Sequence, residues 1–308
     1  MKTLLVAASE DSALWADLFR AELPAHDIRV SPPSAGGTTP YLAVGNPPPG
    51  LIASLTGLEL ILSLNAGVDR LLACGEAPVG LAIVRLADDG LTLGMTEWVL
   101  ARVLAWHRQL FAYADHQTKG AWSPRPEVLA RERTALVLGA GALGGPVARA
   151  LAAVGFRTRA WSRTPRDLGG VTMFAGAEGL AAALTDADIL VNLLPLTRET
   201  EGLIDQSVLA RLARGALFVN GGRGAHVVDE DLLVALDSGR LGEAALDVFR
   251  QEPLPADHPY WRHPRVRLSP HVAAPTHART AVAVMAETVR RFERGEPVGP
   301  LVDRARGY

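Results

Sequence analysis

The sequence predicts an α/β protein built as two doubly wound parallel-sheet domains, and three observations carry that expectation. Short apolar runs alternate with helical stretches, first from Leu4 to Val84 and again from Thr134 to Pro270, as strands feeding crossover helices do. A length of 308 residues suits about two domains, each large enough to bury its own core. The second series opens with a glycine-rich turn placed directly after an apolar run.

In the first series the strand candidates are Leu4–Ala7, Tyr41–Val44, Leu60–Leu64 and Leu81–Val84, divided by Pro/Gly-rich turns at Ser31 to Pro40 and Asn46 to Gly50. Met95 to Ala114 follows as one helix, in which Trp98, Val99, Leu100, Val103, Leu104, Trp106, Leu110, Phe111 and Tyr113 leave only a narrow polar strip. Such a helix needs cover on nearly all sides, supplied either between the two domains of its own chain or in part by a second subunit. The second series holds apolar runs at Ala135–Leu138, Thr158–Trp161, Ile189–Leu194, Ala216–Val219, Ala244–Leu246 and Val266–Leu268, spaced as in a doubly wound sheet. Thr276 to Phe292 reads as a final helix, with Thr276 as N-cap and Gly295 just past its end.

Composition narrows the function classes. With 31 basic and 33 acidic residues the net charge is −2, and 48% of the residues are hydrophobic, which leaves no electrostatic footprint for nucleic acid or an anionic membrane. Cys74 is the only cysteine, so an intrachain disulfide and a cysteine-based metal site are excluded and a reducing compartment is the default. Leu4 to Ala8 is too short an apolar stretch, before Ser9-Glu10-Asp11, for the roughly 7–15-residue core of a secretion signal. Arg102 and His107 interrupt the longest candidate for a membrane span. The expectation is a cytoplasmic protein.

Gly139-Ala140-Gly141-Ala142-Leu143-Gly144 fits G-x-G-x-x-G, a pattern that 30 glycines in 308 residues would give by chance about 0.3 times. Context makes it specific. The run Ala135–Leu138 leads in, Gly144 to Val154 leads out as a helix, and a further strand follows at Thr158–Trp161. Glycines there permit a tight turn and close backbone approach, while N–H groups at the helix start meet the pyrophosphate of a dinucleotide. The end of the next strand selects the cofactor. An acidic residue would take the ribose hydroxyls of NAD, but the sequence is Trp161-Ser162-Arg163-Thr164, with no carboxylate before Asp167. Arg163 with Ser162 suits the 2′-phosphate of NADP, at roughly 1.5–3 kcal/mol for a charge-assisted bond. Arg166 is a possible substitute, and a merely solvated Arg163 is the bland alternative. NADPH is therefore the expected cofactor, with NADH possible.

Ligands of open α/β sheets sit outside the carboxyl ends of the strands. Three segments place reactive groups there: Asn220-Gly221-Gly222-Arg223-Gly224 after Ala216–Val219, Asp247 and then Glu252 after Ala244–Leu246, and Ser269-Pro270-His271 after Val266–Leu268. In hydride transfer to a 2-oxo acid, Arg223 can fork onto the carboxylate and carbonyl. His271 can hydrogen-bond the carbonyl oxygen and donate a proton, typically a 10²–10⁴-fold effect. Glu252 can face the other ring nitrogen and favour the protonated ring. Taken singly, each is as readily a turn or surface residue. The other histidines, His26, His107, His116, His226, His258, His263 and His277, show no metal-ligand spacing, and no serine-hydrolase elbow is present.

With these segments in view, the chain resembles the D-2-hydroxyacid dehydrogenase family, and within it the glyoxylate/hydroxypyruvate reductase A branch. The resemblance runs over nearly the whole length. It rests on Asn65-Ala66-Gly67-Val68-Asp69, the glycine motif, Leu193-Leu194-Pro195-Leu196-Thr197-Arg198-Glu199-Thr200, Asn220 to Gly224, Leu246-Asp247-Val248-Phe249 with Glu252-Pro253-Leu254-Pro255, and Ser269-Pro270-His271. It implies that Arg223, Glu252 and His271 are catalytic and that backbone amides near Ala66 and Gly67 bind the substrate carboxylate. Pro195 would line the cofactor cleft beside Gly139, Gly141, Ala142, Leu143, Gly144, Ser162, Arg163 and Thr164, with Asp247 on the nicotinamide amide. It also implies a Rossmann domain over 95–275 inserted into a smaller, flavodoxin-like substrate domain of 1–94 and 276–308, and a homodimer built around the 95–114 helix. One departure stands out: Val44-Gly45-Asn46-Pro47-Pro48 lacks the aromatic that the branch carries before its Pro-Pro, which leaves room for a bulkier oxo acid. The first expectation is an NADPH-preferring reductase of short 2-oxo acids. The alternative is a dinucleotide-sensing, corepressor-like binding protein of the same fold with little turnover.

Overall fold

The computed structural model describes residues 1–8, 11–31 and 38–308, so Ser9, Glu10 and residues 32–37 of the turn expected from Ser31 to Pro40 lie outside the described residues. The chain forms two units, Met1–Leu91 with Thr276–Tyr308, and Thr92–Pro275. Strands β1–β12 and helices α1–α9 are numbered in chain order.

The first unit is a five-stranded parallel sheet of β1 (Thr3–Ala7), β2 (Asp27–Val30), β3 (Tyr41–Val44), β4 (Leu60–Ser63) and β5 (Ala82–Arg85), ordered β2-β1-β3-β4-β5. That is the flavodoxin-like order, which reverses direction between β1 and β3. β1, β3 and β4 are buried along their whole length, as a parallel sheet covered on both faces requires. Of the unit's helices α1 (Ser12–Glu22), α2 (Asp69–Ala73) and α9 (Ala278–Glu293), α1 packs on α9. Phe19 of α1 and Met285 of α9 are fully buried, each stabilising the unit by roughly 1.5–3 kcal/mol.

The second unit is a seven-stranded parallel sheet of β6 (Thr134–Leu138), β7 (Arg157–Ser162), β8 (Thr172–Ala175), β9 (Ile189–Asn192), β10 (Ala216–Asn220), β11 (Leu241–Leu246) and β12 (Val266–Leu268), ordered β12-β11-β10-β9-β6-β7-β8. Its helices are α3 (Asp89–His107), whose first residues belong to the other unit, then α4 (Leu110–Thr118), α5 (Gly144–Val154), α6 (Gly176–Leu184), α7 (Gln206–Leu209) and α8 (Asp229–Asp237). Alternate strand residues serve opposite faces: Leu136, Leu190 and Phe218 enter one core, while Val137, Val191 and Val219 enter the other together with Met95, Val99 and Val103 of α3. The order reverses between β6 and β9, which makes their carboxyl ends the switch point of a Rossmann sheet.

Three local expectations need correction. The single helix over 95–114 is two, because Gln109 adopts a left-handed conformation at φ 57°. The strain of about 1–2 kcal/mol is offset where Gln109 Nε2 donates to Pro126 O at 2.7 Å. Thr276 is not an N-cap: its hydroxyl donates to Leu64 O at 3.0 Å, and α9 begins two residues later after His277. Strands β2 and β8 were not foreseen. Each is an edge strand with one neighbour, and both are less buried than the central strands, so the apolar run is interrupted by Arg29 in β2 and only three residues long in β8.

Candidate active site

The glycine motif forms the turn between β6 and α5, at the switch point. A Cβ on Gly139, whose φ is 97°, would stand 2.6 Å from Leu193 O, and one on Gly144 would stand 1.9 Å from Gly139 O. Both glycines are therefore fixed by close backbone packing. Gly141 differs, since a Cβ there meets nothing within 4 Å. Its backbone faces open space at the start of α5, where Leu143 provides no side-chain cap. A glycine-lined helix start with no side chain over its amides is what a dinucleotide pyrophosphate needs, so Gly139, Gly141, Ala142, Leu143 and Gly144 fit that group.

At the end of β7, Ser162 is buried and its hydroxyl donates to Thr164 O at 2.6 Å, while Arg163 and Thr164 are exposed. The serine proton is committed to shaping the turn, which leaves Arg163 as its cationic group. The Glu199 carboxyl is held below its ordinary pKa of 4.5, first by a hydrogen bond to Thr197 and also by attraction to Arg163 and Arg198.

The three candidate catalytic residues follow β10, β11 and β12, neighbours in the sheet. Arg223 is half-buried in extended backbone and donates from Nη1 to Gly222 O at 2.9 Å. Glu252 uses both carboxylate oxygens: Oε1 accepts from Phe249 N at 3.0 Å and Oε2 lies 2.9 Å from His271 Nδ1. With Nδ1 so engaged, Nε2 is the edge left for another acceptor. His271 has a left-handed backbone, φ 56°, and its N–H donates to Asp247 O at 2.8 Å. A strained residue persists only where its surroundings over-determine it, and Asp247 does so here. Its buried carboxylate accepts from Ser269 Oγ at 2.7 Å, Val272 N at 3.0 Å and Ala273 N at 2.8 Å, and Trp98 Nε1 donates to Ser269 Oγ at 3.1 Å. Asp247 is therefore the anchor of the His271 loop, a task the sequence did not reveal.

Gly224 joins two of these segments. A Cβ on it would lie 1.8 Å from Phe249 C and 2.2 Å from Arg250 N, so the loop of Arg223 rests directly on the segment leading to Glu252. In the first unit, Ala66 and Gly67 follow β4, half-buried. The turn is shaped by Ser63 Oγ donating to Asn65 O at 3.1 Å and by Asn65 Nδ2 donating to Asn46 Oδ1 at 3.4 Å.

Sequence reasoning missed a buried polar cluster behind Arg223, made of Asn192, Asn220 and His226. The one signal available was that Asn192 and Asn220 each end an apolar strand, which marks them as polar groups at the sheet's functional edge.

A parallel Rossmann sheet with a glycine cradle and an Arg, Glu and His at adjacent strand ends defines a nucleotide-dependent oxidoreductase architecture. The chain belongs to the D-isomer specific 2-hydroxyacid dehydrogenase family, whose NAD binding domain matches residues 100–273. It is 41% identical over 302 residues, 96% of each chain, to glyoxylate/hydroxypyruvate reductase A of Yersinia enterocolitica. Among solved structures it is similar to a D-isomer specific 2-hydroxyacid dehydrogenase from Xanthobacter autotrophicus in complex with NADPH and MES, at 39% identity, covering 100% of this chain and 99% of that one with a TM-score of 0.94. An NADPH-dependent glyoxylate/hydroxypyruvate reductase from Sinorhizobium meliloti in complex with NADP and sulfate matches at 34% identity, 100% of both chains and a TM-score of 0.94.

Proposed function

We propose that this protein reduces short 2-oxo acids, glyoxylate and hydroxypyruvate first, to 2-hydroxy acids with NADPH, giving the D-isomer where the product is chiral. The observation that carries the reading is the Glu252–His271 pair at 2.9 Å, with the far side of the imidazole left for a carbonyl oxygen. When bound, the dinucleotide supplies the hydride. His271 holds the carbonyl oxygen through Nε2 and delivers the proton there, Glu252 fixes the ring's orientation, and Arg223 clamps the substrate carboxylate and carbonyl. Backbone amides near Ala66 and Gly67 hold the carboxylate, and Pro195 lines the cofactor cleft. Asp247 Oδ2 accepts from Ala273 N at 2.8 Å, and a carboxylate oxygen has room for a second donor, which suits the nicotinamide amide. Arg163, with Thr164 and Ser162 shaping its turn, takes the 2′-phosphate.

The protein works as a cytoplasmic homodimer. Support comes from α4, none of whose residues is buried in the single chain, and from the exposed apolar groups Leu110, Trp122 and Leu129 around it. Such a surface calls for a second subunit.

Mixing the purified protein with NADPH and a panel of 2-oxo acids, while following loss of nicotinamide absorbance, tests the activity; no turnover with any of them overturns it. His271→Gln should abolish turnover while NADPH affinity stays within a few-fold of the parent.

A further inference from the structure

We infer that His226, a residue of no assigned role, is a positioning residue that ties the loop of Arg223 to the wall of the dinucleotide cleft, one ring nitrogen for each. This rests on the reading of Arg223 and Pro195 given under Proposed function.

The ring is fully buried. Its Nδ1 lies 3.2 Å from the backbone N of Arg223 and 2.9 Å from Asn192 Nδ2. Both neighbours are donors. The Asn192 amide is oriented by its own network, since Nδ2 also donates to Asn220 Oδ1 at 2.9 Å while Leu194 N donates to Asn192 Oδ1 at 3.4 Å. Asn220 is fixed in turn by donating to Arg223 O at 3.1 Å and accepting from Gly222 N at 3.2 Å. Two donors aimed at one nitrogen require that it carry no proton. The proton sits on Nε2, which donates to Pro195 O at 3.2 Å beside Thr200 Oγ1, itself donating to the same carbonyl at 2.8 Å.

The imidazole thus presents an accepting edge to the arginine loop and a donating edge to the segment after β9. No apolar side chain could do either: Arg223 N would lose this acceptor, and Pro195 O would be left to the Thr200 hydroxyl, each at the cost of a hydrogen bond formed away from water. The space around it is closed: a Cβ on Gly222 would stand 3.2 Å from Nδ1 and 3.1 Å from Asn192 Nδ2. Nor can imidazolium replace it, because a second N–H would point at two donors.

Two substitutions separate the edges. Asn keeps an acceptor near the place of Nδ1 but cannot reach Pro195 O, whereas Gln keeps a donor near the place of Nε2 and loses the acceptor. For His226→Asn and His226→Gln, the measurements are NADPH dissociation constant by fluorescence titration, kcat and KM for glyoxylate, and the unfolding temperature. His226→Gln should lose roughly tenfold more in kcat/KM for glyoxylate than in NADPH affinity, and His226→Asn should show the opposite order, each loss being that of about one buried hydrogen bond. Losses that are equal in both measurements for both variants and follow the unfolding temperature, or no loss in either, would overturn the assignment. A parent protein that binds NADPH but reduces no oxo acid would instead defeat the proposed function; the titration would still have to rank His226→Asn as the weaker binder, and the reverse ranking sinks the inference.

Discussion

Gly224→Ala tests how tightly the candidate catalytic segments are joined. The added methyl would be built 1.8 Å from Phe249 C and 2.2 Å from both Arg250 N and Phe249 O, where a real Cβ keeps at least 3.0 Å from its neighbours. The obstacle is backbone on both sides, and neither side can yield cheaply. Phe249 N is bonded to Glu252 Oε1, Arg250 Nη2 donates to Val227 O at 2.7 Å, and Val227 N donates to Gly224 O at 3.0 Å. A separation of roughly 1 Å must therefore pass either to Arg223 or, through Glu252, to His271, and a displacement of that size costs about 10²-fold in rate. Overpacking itself costs about 1–3 kcal/mol, or on the order of 2–12 °C in unfolding temperature for a chain of this size. Steady-state reduction of glyoxylate by NADPH and thermal unfolding are the assays. A variant within threefold of the parent kcat/KM, with an unshifted unfolding temperature, would show that the two loops are not mechanically linked.

Gly141→Ala probes the open part of the cradle: with nothing near its Cβ, the unfolding temperature should hold while the NADPH dissociation constant rises about tenfold or more, both read on the same preparation. Arg163→Ala should reduce the preference for NADPH over NADH by about ten- to a hundredfold, and an unchanged ratio of the two kcat/KM values would exclude this arginine. His107 is buried beside Phe156 with Nδ1 lacking a partner. Burial, and then the charges of Arg133 and Arg108, push its pKa below the ordinary 6.5. The folded state then binds fewer protons than the unfolded one, so the contribution is full above about pH 6.5 and is lost as the pH falls through the lowered value. His107→Leu should accordingly unfold with a smaller temperature drop between about pH 7.5 and pH 5; an equal drop would remove His107 as a source of acid sensitivity.

Much of the site was readable along the chain because each group lies within a few residues of a strand end. Asn220 to Gly224, Asp247 and His271 each follow an apolar run, and the glycine motif sits between one run and a helix. The central strands were readable for a related reason: a parallel strand covered on both faces is apolar throughout. Edge strands β2 and β8 lack that requirement and were invisible. The break at Gln109 was hidden because the apolar pattern continues on both sides of it, while its stabilising partner, Pro126 O, is 17 residues away.

His226 shows where reading by spacing fails. No metal-like interval surrounds it, and its partner Asn192 is 34 residues distant; only packing two strand ends side by side turns it from one histidine among eight into a two-edged connector. Asp247 was placed correctly at its strand end, yet its grip on Ser269, Val272 and Ala273 emerges only after β11 and β12 pair. The two α/β series, the cradle and the chemical groups at the sheet edge follow from the order of residues along the chain, since strand alternation and local turn chemistry are properties of neighbouring residues. The tertiary structure alone decided which of those groups touch, because hydrogen bonds between side chains 19 to 34 residues apart exist only once parallel strands fix their register.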